Sequence, residues 1–195
     1  MDIRRAQKTD APELAPLIDS AGYGIPSLFW SKLKTADQTT LESGIAQTKL
    51  DEGAFSYSHA YVAEIDGRVA AALAGHVLSL EDMPTAPDAL PAFLQPILAL
   101  EKAAVGTWYI NAIATAAEFQ CRGVASKMLV FAEHLATEAG TEELSLVVNS
   151  NNSHARNLYE REGFLDYDVR QVVPPPDIDL SGNWVLMKKT IELHQ

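Results

Sequence analysis

The fold of this chain is decided by WYINAIAT (Trp108–Thr115), the loop AAEFQCRG (116–123) and VASKMLVFAEHLATEA (124–139). The first segment is mostly apolar, aromatic or β-branched, which predicts a buried strand. In the third, apolar residues recur at helical spacing and predict a helix with one buried face. They are Met128, Phe131, Ala132, Leu135 and Ala136. The stretch therefore predicts a strand, a turn and a helix.

The turn between this strand and helix has the features of an anion-binding site. Gly123 has no Cβ and Ala125 has a small side chain, so a ligand can approach the backbone closely. The first amides of a helix have no partner within the helix, and they lie at the positive end of its dipole. Arg122 adds a positive charge. We expect the turn to bind a phosphate or a similar anion.

Composition indicates one globular domain spanning 1–195. The apolar fraction of 47% and charged fraction of 21% are ordinary for such a protein. The net charge of −11 argues against nucleic acid as a partner, and no apolar run is long enough to span a membrane. The single cysteine, Cys121, and the polar N-terminal residues favour a cytoplasmic location.

The rest of the chain predicts an α/β fold with a mixed sheet. Asp66-Gly67 between two apolar runs predicts a hairpin, and Asp10 with Glu13 predicts a capping box before the first helix. A proline-rich segment at about 79–106, with apolar residues at helical spacing, predicts a helical insertion. Strands are predicted at about 2–6, 59–65, 69–78, 108–115, 143–149, 164–173 and 183–191.

Two motifs resemble those of the GNAT superfamily of N-acetyltransferases. The first is Q-x-x-G-x-A at the turn, residues 120–125, and the second is NSHARNLYEREGF, residues 152–164. They occur in the family's order, with a helix and a strand between them. The resemblance implies a mixed central sheet of about seven strands, splayed at the acetyl-CoA cleft and flanked by helices. It also implies acetyl-CoA as cosubstrate, no metal, and transfer of the acetyl group to a primary amine of a small molecule or peptide by direct attack.

The resemblance also implies roles for individual residues. Backbone groups of Ile113, Ala114 and Thr115 would pair with the pantetheine arm and the acetyl carbonyl. The turn would bind the pyrophosphate, and Asn152 would bond the pantetheine. Tyr159 would contact the sulfur and protonate the departing thiolate, because a phenol can serve as a general acid when placed close to it. The residues of the turn are Gln120, Cys121, Arg122, Gly123, Val124, Ala125 and Ser126.

The general base is left open by the sequence. Some relatives carry a glutamate on the central strand, where this chain has Tyr109. Tyr109, His76 and a chain of ordered waters are the alternatives, while Glu118 lies in the turn after the strand. Because no carboxylate lies on that strand, an acyl-CoA-binding sensor or structural module with little turnover is the alternative function.

We expect the acceptor pocket to be formed by segments that contain few recognisable motifs. In the GNAT reading, aromatic residues between the first and second strands are pocket candidates, and core packing is the alternative role for each. The apolar face of the insertion, which includes Phe93 and Leu98, indicates a lid over the acceptor site or the interface of a homodimer. The aromatic candidates are Tyr23, Phe29 and Trp30.

Overall fold

The computed structural model describes residues 1–53 and 55–191; Ala54 and the last four residues of the predicted domain, 192–195, lie outside the described residues. The described strands are β1 (Asp2–Arg5), β2 (Ala60–Ile65), β3 (Arg68–Val77), β4 (Trp108–Thr115), β5 (Glu143–Asn149), β6 (Leu165–Gln171) and β7 (Asn183–Thr190). The described α-helices are α1 (Ala11–Ala21), α2 (Ile25–Leu33), α3 (Thr40–Thr48), α4 (Gln95–Ala103), α5 (Val124–Glu138) and α6 (Ser153–Arg161).

The strands form a mixed open sheet in the order β1-β2-β3-β4-β5-β7-β6. β2 pairs antiparallel with β1 and β3, and β7 pairs antiparallel with β5 and β6. β4 and β5 are parallel, with Trp108 opposite Leu144 and Ile110 opposite Leu146. Parallel neighbours require a crossover connection, and α5 is that crossover. The prediction of a seven-stranded mixed α/β sheet flanked by helices is confirmed.

The chain forms two compact units, with β3, β4 and α5 contributing residues to both. Within the described part, unit 1 covers 1–75 and 112–128, and unit 2 covers 76–111 and 129–191. The apolar core of unit 1 joins α1, α2, β2 and β3, because their apolar residues point to a common interior. Trp30 is fully buried in this core and packs edge-on against Phe55 at 5.6 Å between ring centroids.

In unit 2 the inserted segment contains one α-helix, α4, which packs on β5, β6 and β7. Phe93, Leu98 and Leu100 are buried, because the apolar face of α4 and the turn before it face the core of this unit. Residues 80–82, 87–89 and 92–94 form short 3₁₀ turns before α4. The proposed roles of this insertion as a lid or a dimer interface stay predictions.

The predicted capping box at Asp10 and Glu13 is wrong. Asp10 precedes α1, but its backbone is already helical and its side chain makes no capping hydrogen bond. The Asp10 carboxylate instead accepts hydrogen bonds from Arg4 Nη1 at 2.7 Å, from Arg4 Nη2 at 2.9 Å and from the Gln7 amide at 2.7 Å. A guanidinium donates two parallel charge-assisted bonds, which are stronger than one bond to a helix amide.

Candidate active site

The end of β4 places three predicted cofactor-binding residues in unit 1. Ile113, Ala114 and Thr115 are partly buried, and Ala114 packs against the core of this unit. The Thr115 carbonyl accepts a hydrogen bond from Gln120 Nε2 at 3.2 Å, which fixes the loop to the strand. Thr115 Oγ1 is buried without a hydrogen-bond partner among the described residues. A buried hydroxyl in this state costs free energy unless a ligand or water meets it.

The turn before α5 has an unusual backbone. Cys121 and Gly123 both have positive φ, 59° and 73°, and α5 begins at Val124. The Lys127 amide donates to the Gly123 carbonyl at 3.2 Å, so the amides of Val124, Ala125 and Ser126 form the first helical turn. Consecutive amides in turns that mix right- and left-handed residues converge on one point and bind anions.

The surface around this turn is open and positively charged. A Cβ placed on Gly123 would have no heavy atom within 4 Å apart from those of its neighbours in the chain. The guanidinium of Arg122 lies 5.5 Å from the centroid of the Phe119 ring, and that of Arg68 lies 5.3 Å from it. Arg68 is also paired with Glu118, whereas Arg122 and Cys121 are exposed. The turn therefore fits an anionic ligand.

Glu118 is poorly suited to act as a base. The pKa of its carboxyl group is lowered, first by a hydrogen bond from its own backbone amide and then by Arg68. A carboxylate with a lowered pKa holds a proton weakly.

Helix α6 carries the two predicted site residues of unit 2. Asn152 caps the helix, because its Oδ1 accepts a hydrogen bond from the Ala155 amide at 3.1 Å. Tyr159 lies two turns further along, is 7% exposed, and its ring packs on Phe164 at 5.9 Å between centroids. The structure brings the residues of the turn together in unit 1, and it brings Asn152 and Tyr159 together on one helix of unit 2.

Of the two side chains considered as the general base, Tyr109 is buried and His76 is half-exposed. His76 lies at the end of β3, with Nε2 3.8 Å from Asp82 Oδ2. Tyr109 donates a hydrogen bond from Oη to Glu101 Oε1 at 3.2 Å. Burial raises the pKa of Tyr109 well above that of a free tyrosine, and the carboxylate of Glu101 raises it further.

The sequence analysis did not single out Glu101, the carboxyl group on α4 that accepts this hydrogen bond from Tyr109. Burial raises the pKa of its carboxyl group to about 6, although the hydrogen bond from Tyr109 acts in the opposite direction. Glu101 extends the apolar face formed by Leu94, Ile97 and Leu98 at helical spacing. An acidic residue in line with such a face was the signal in the sequence.

No group of three or more His, Cys, Asp or Glu side chains is arranged to hold a metal ion in the part of the chain that the structure describes. Within that same part, none of the helices has the length and apolar character needed to cross a membrane.

Comparisons with known proteins identify the family. The model of the acetyltransferase (GNAT) family matches residues 28–164. A crystal structure of an acetyltransferase is 22% identical, with 98% of this chain and 100% of that chain covered and a TM-score of 0.66. An N-acetyltransferase from Staphylococcus aureus Mu50 is 20% identical, with coverage of 96% and 100% and a TM-score of 0.65.

A third solved structure has the same fold. The ribosomal-protein-alanine N-acetyltransferase from Brucella melitensis is 15% identical, with 98% of this chain and 100% of that chain covered and a TM-score of 0.63. At these identities the solved structures show a shared fold. No curated protein matches this chain.

Proposed function

Because this chain belongs to the acetyltransferase (GNAT) family, we propose that it transfers the acetyl group of acetyl-CoA to a primary amine by direct attack in a ternary complex. The family assignment makes the protein an acyltransferase. The observation that carries the proposal for the cofactor is the turn at Cys121 and Gly123, where two left-handed residues precede a 15-residue helix. Such a turn presents amides to an anion.

Acetyl-CoA fits the chemistry of this turn. The amides at the start of α5 and the charge of Arg122 would hold the pyrophosphate, and the open space at Gly123 would let the phosphates approach the backbone. The unpartnered Thr115 Oγ1 supports a ligand at the end of β4, because a bound polar group could satisfy it. In this proposal Ile113, Ala114 and Thr115 bind through their backbone.

The reaction needs a stabilised oxyanion and a proton for the leaving thiolate. Backbone amides near Thr115 would stabilise the oxyanion, because they are fixed in place by β4 and by the bond from Gln120. Asn152, held by its cap on α6, would bond the pantetheine arm. Tyr159 would give its hydroxyl proton to the sulfur, since a phenol holds that proton at neutral pH.

The acceptor is proposed to be a primary amine of a small molecule or a peptide. The net charge of −11 argues against nucleic acid as a partner and is compatible with a cationic acceptor. A cytoplasmic location and a homodimer stay predictions of the same kind. Candidate pocket residues Tyr23 and Phe29 are partly exposed, as the lining of an acceptor pocket requires.

Release of free CoA thiol from acetyl-CoA, measured over a panel of primary amines, tests the function. We expect amine-dependent thiol release and an acetylated product detectable by mass spectrometry. Titration calorimetry with CoA in the same preparation measures cofactor binding separately. Binding of CoA with no turnover on any amine would instead support the acyl-CoA sensor.

A further inference from the structure

Two arginines and a glutamate surround the ring of Phe119 within unit 1. The guanidinium carbons of Arg68 and Arg122 lie 5.3 Å and 5.5 Å from the centroid of this ring. Nη2 of Arg68 also donates a hydrogen bond to the carboxylate of Glu118. The proposed function assigns the charge of Arg122 to the pyrophosphate, and it leaves Arg68 and Glu118 without a role.

The sheet holds Arg68 beside the residues that lead into the turn. Arg68 begins β3, and two residues further on the carbonyl of Ala70 accepts a hydrogen bond from the amide of Ala116 at 2.9 Å. This bond joins β3 to the loop that follows β4. Phe119 is 6% exposed, so its ring is fixed and offers both guanidinium groups a common surface. The fold thus brings together two arginines that are distant in sequence.

The charges of this cluster are only partly balanced. Two guanidinium groups near one ring repel each other, because like charges close together raise the free energy. A hydrogen bond from its own backbone amide does most to lower the pKa of the Glu118 carboxyl group, and both Arg68 and Arg122 lower it further. One carboxylate therefore interacts with two cations. A local excess of positive charge remains, in a chain whose net charge is −11.

The ion pair between Arg68 and Glu118 can be exchanged at little cost. The two side chains are 64% and 49% exposed, and ion pairs in contact with water contribute little to stability. A phosphate group carries at least as much charge as a carboxylate, and its oxygens match the two parallel donors of a guanidinium group. A phosphate close to Arg68 would therefore compete well with Glu118.

We propose that Arg68 is a further phosphate-binding residue for the cofactor, acting with Arg122, and that Glu118 competes with the phosphate for Arg68. The inference rests on the cofactor part of the proposed function, because it needs CoA at this turn. Arg122 links the two sites, since it directly precedes Gly123 and shares the Phe119 ring with Arg68. Arg68 lies outside both sequence motifs, so the motifs do not point to it.

The test of Arg68 is titration calorimetry of the full chain with CoA. Arg68→Gln should bind CoA on the order of tenfold more weakly than the wild type, because a charge-assisted contact to phosphate is lost. Arg5→Gln is the matched control. Arg5 is also an exposed arginine of unit 1 that lies over an aromatic ring, at 5.3 Å from the centroid of Tyr61, and its loss should leave the affinity unchanged.

Glu118→Gln should have the opposite effect on CoA binding. Its loss removes the carboxylate that competes for Arg68, so we expect CoA to bind about threefold more tightly. Asp51→Asn is the matched control, because it removes another exposed carboxylate of unit 1 that is paired with a cation, Lys8. The two variants have the same net charge, so a gain confined to Glu118→Gln is a local effect.

Dephospho-CoA, which lacks the phosphate on the ribose, distinguishes the two sources of phosphate. If Arg68→Gln weakens binding of CoA and of dephospho-CoA equally, Arg68 contacts the pyrophosphate. If it weakens binding of CoA alone, Arg68 contacts the ribose phosphate. Either result supports the proposal.

The remaining outcomes separate this inference from the proposed function. If the wild type binds CoA and Arg68→Gln binds it as tightly as Arg5→Gln does, the role of Arg68 is wrong while the cofactor site stands. A Glu118→Gln variant that binds CoA no more tightly than Asp51→Asn would contradict the competition. If the wild type does not bind CoA, the cofactor part of the proposed function fails and this inference fails with it.

Discussion

Cys121 and Gly123 both adopt left-handed backbone conformations, with φ of 59° and 73°, on either side of Arg122. A non-glycine residue in this region stores strain of about 1–3 kcal/mol, and such strain is concentrated at sites that bind ligands. Arg122 is thereby held at the start of α5, next to the amides of its first turn. Substitutions in this turn therefore test directly whether it binds the cofactor.

Replacing Gly123 with glutamate should weaken binding of CoA. A side chain at this position would extend into the open space beside the first amides of α5, and a carboxylate would repel the phosphates. Gly123→Gln has nearly the same size and the same backbone strain without the charge. We expect the glutamate variant to bind at least tenfold more weakly than the glutamine variant in calorimetry.

Added salt provides the control for this comparison. Because an exposed charge is screened, the difference between the two Gly123 variants should shrink as the ionic strength rises. Equal affinities for the two folded variants at low salt would place the phosphates elsewhere.

A second prediction concerns packing of α2 on α3 in unit 1. A Cβ on Gly44 would lie 2.4 Å from Cε3 of the fully buried Trp30. Overpacking of this kind costs about 1–3 kcal/mol. The higher helix propensity of alanine would offset about 1 kcal/mol of this destabilisation. We expect Gly44→Ala to lower the free energy of unfolding by on the order of 1 kcal/mol in urea denaturation.

Ala46 offers a calibration in the same helix. It is exposed, so Ala46→Gly measures the helix-propensity contribution without any packing change. A Gly44→Ala variant that is more stable than the wild type by that same amount would show that the Trp30 ring moves aside freely.

Local patterns in the sequence predicted much of the fold. The periodicity of residues 108–138 predicted β4 and the start of α5 correctly, because each element buries one continuous apolar set. Asp66-Gly67 predicted the hairpin between β2 and β3, and both residues have the positive φ that such a turn requires. These features depend only on neighbouring residues.

Contacts between distant residues could not be predicted in the same way. The capping role expected of Asp10 was lost because Arg4, which also binds Glu64 on β2, places its guanidinium against the same carboxylate. The pairing of Glu101 with Tyr109 was not predicted because the two residues lie on different elements, so their contact depends on how α4 packs. The predicted roles of the turn, Asn152 and Tyr159 in binding and catalysis stay predictions.

A third prediction follows from the raised pKa of Glu101. Its pKa is about 6 in the folded protein and near the ordinary value of 4.5 when unfolded, so between these values the folded state binds more protons. Stability from this group is therefore present below about pH 4.5 and is lost as the pH rises through about 6. Glu101→Gln should remove that loss. At pH 7 it should raise the free energy of unfolding by on the order of 2 kcal/mol.

Urea denaturation at several pH values measures this effect. The stability gained by Glu101→Gln over the wild type should be near zero at pH 4 and should grow toward pH 7. Glu143→Gln, which breaks the pair with Lys188, should show no gain that grows in this way. A gain independent of pH would mean that the carboxylate of Glu101 is well solvated.

The last prediction is that Tyr159 is the general acid. Tyr159→Phe keeps the ring and its packing on Phe164, so the affinity for CoA and the stability should change little. The lost hydroxyl proton should lower kcat by on the order of a hundredfold, because the thiolate then leaves without protonation. Tyr167→Phe on β6 is the matched control, since it makes the same substitution at an exposed position of unit 2 and should keep kcat. The measurement is kcat for the wild type and both variants on one amine, with a presteady-state assay to show that chemistry is rate-limiting. If Tyr159→Phe then turns over at the wild-type rate, water or another residue supplies the proton, and the role of Tyr159 is structural, with its ring packed on Phe164.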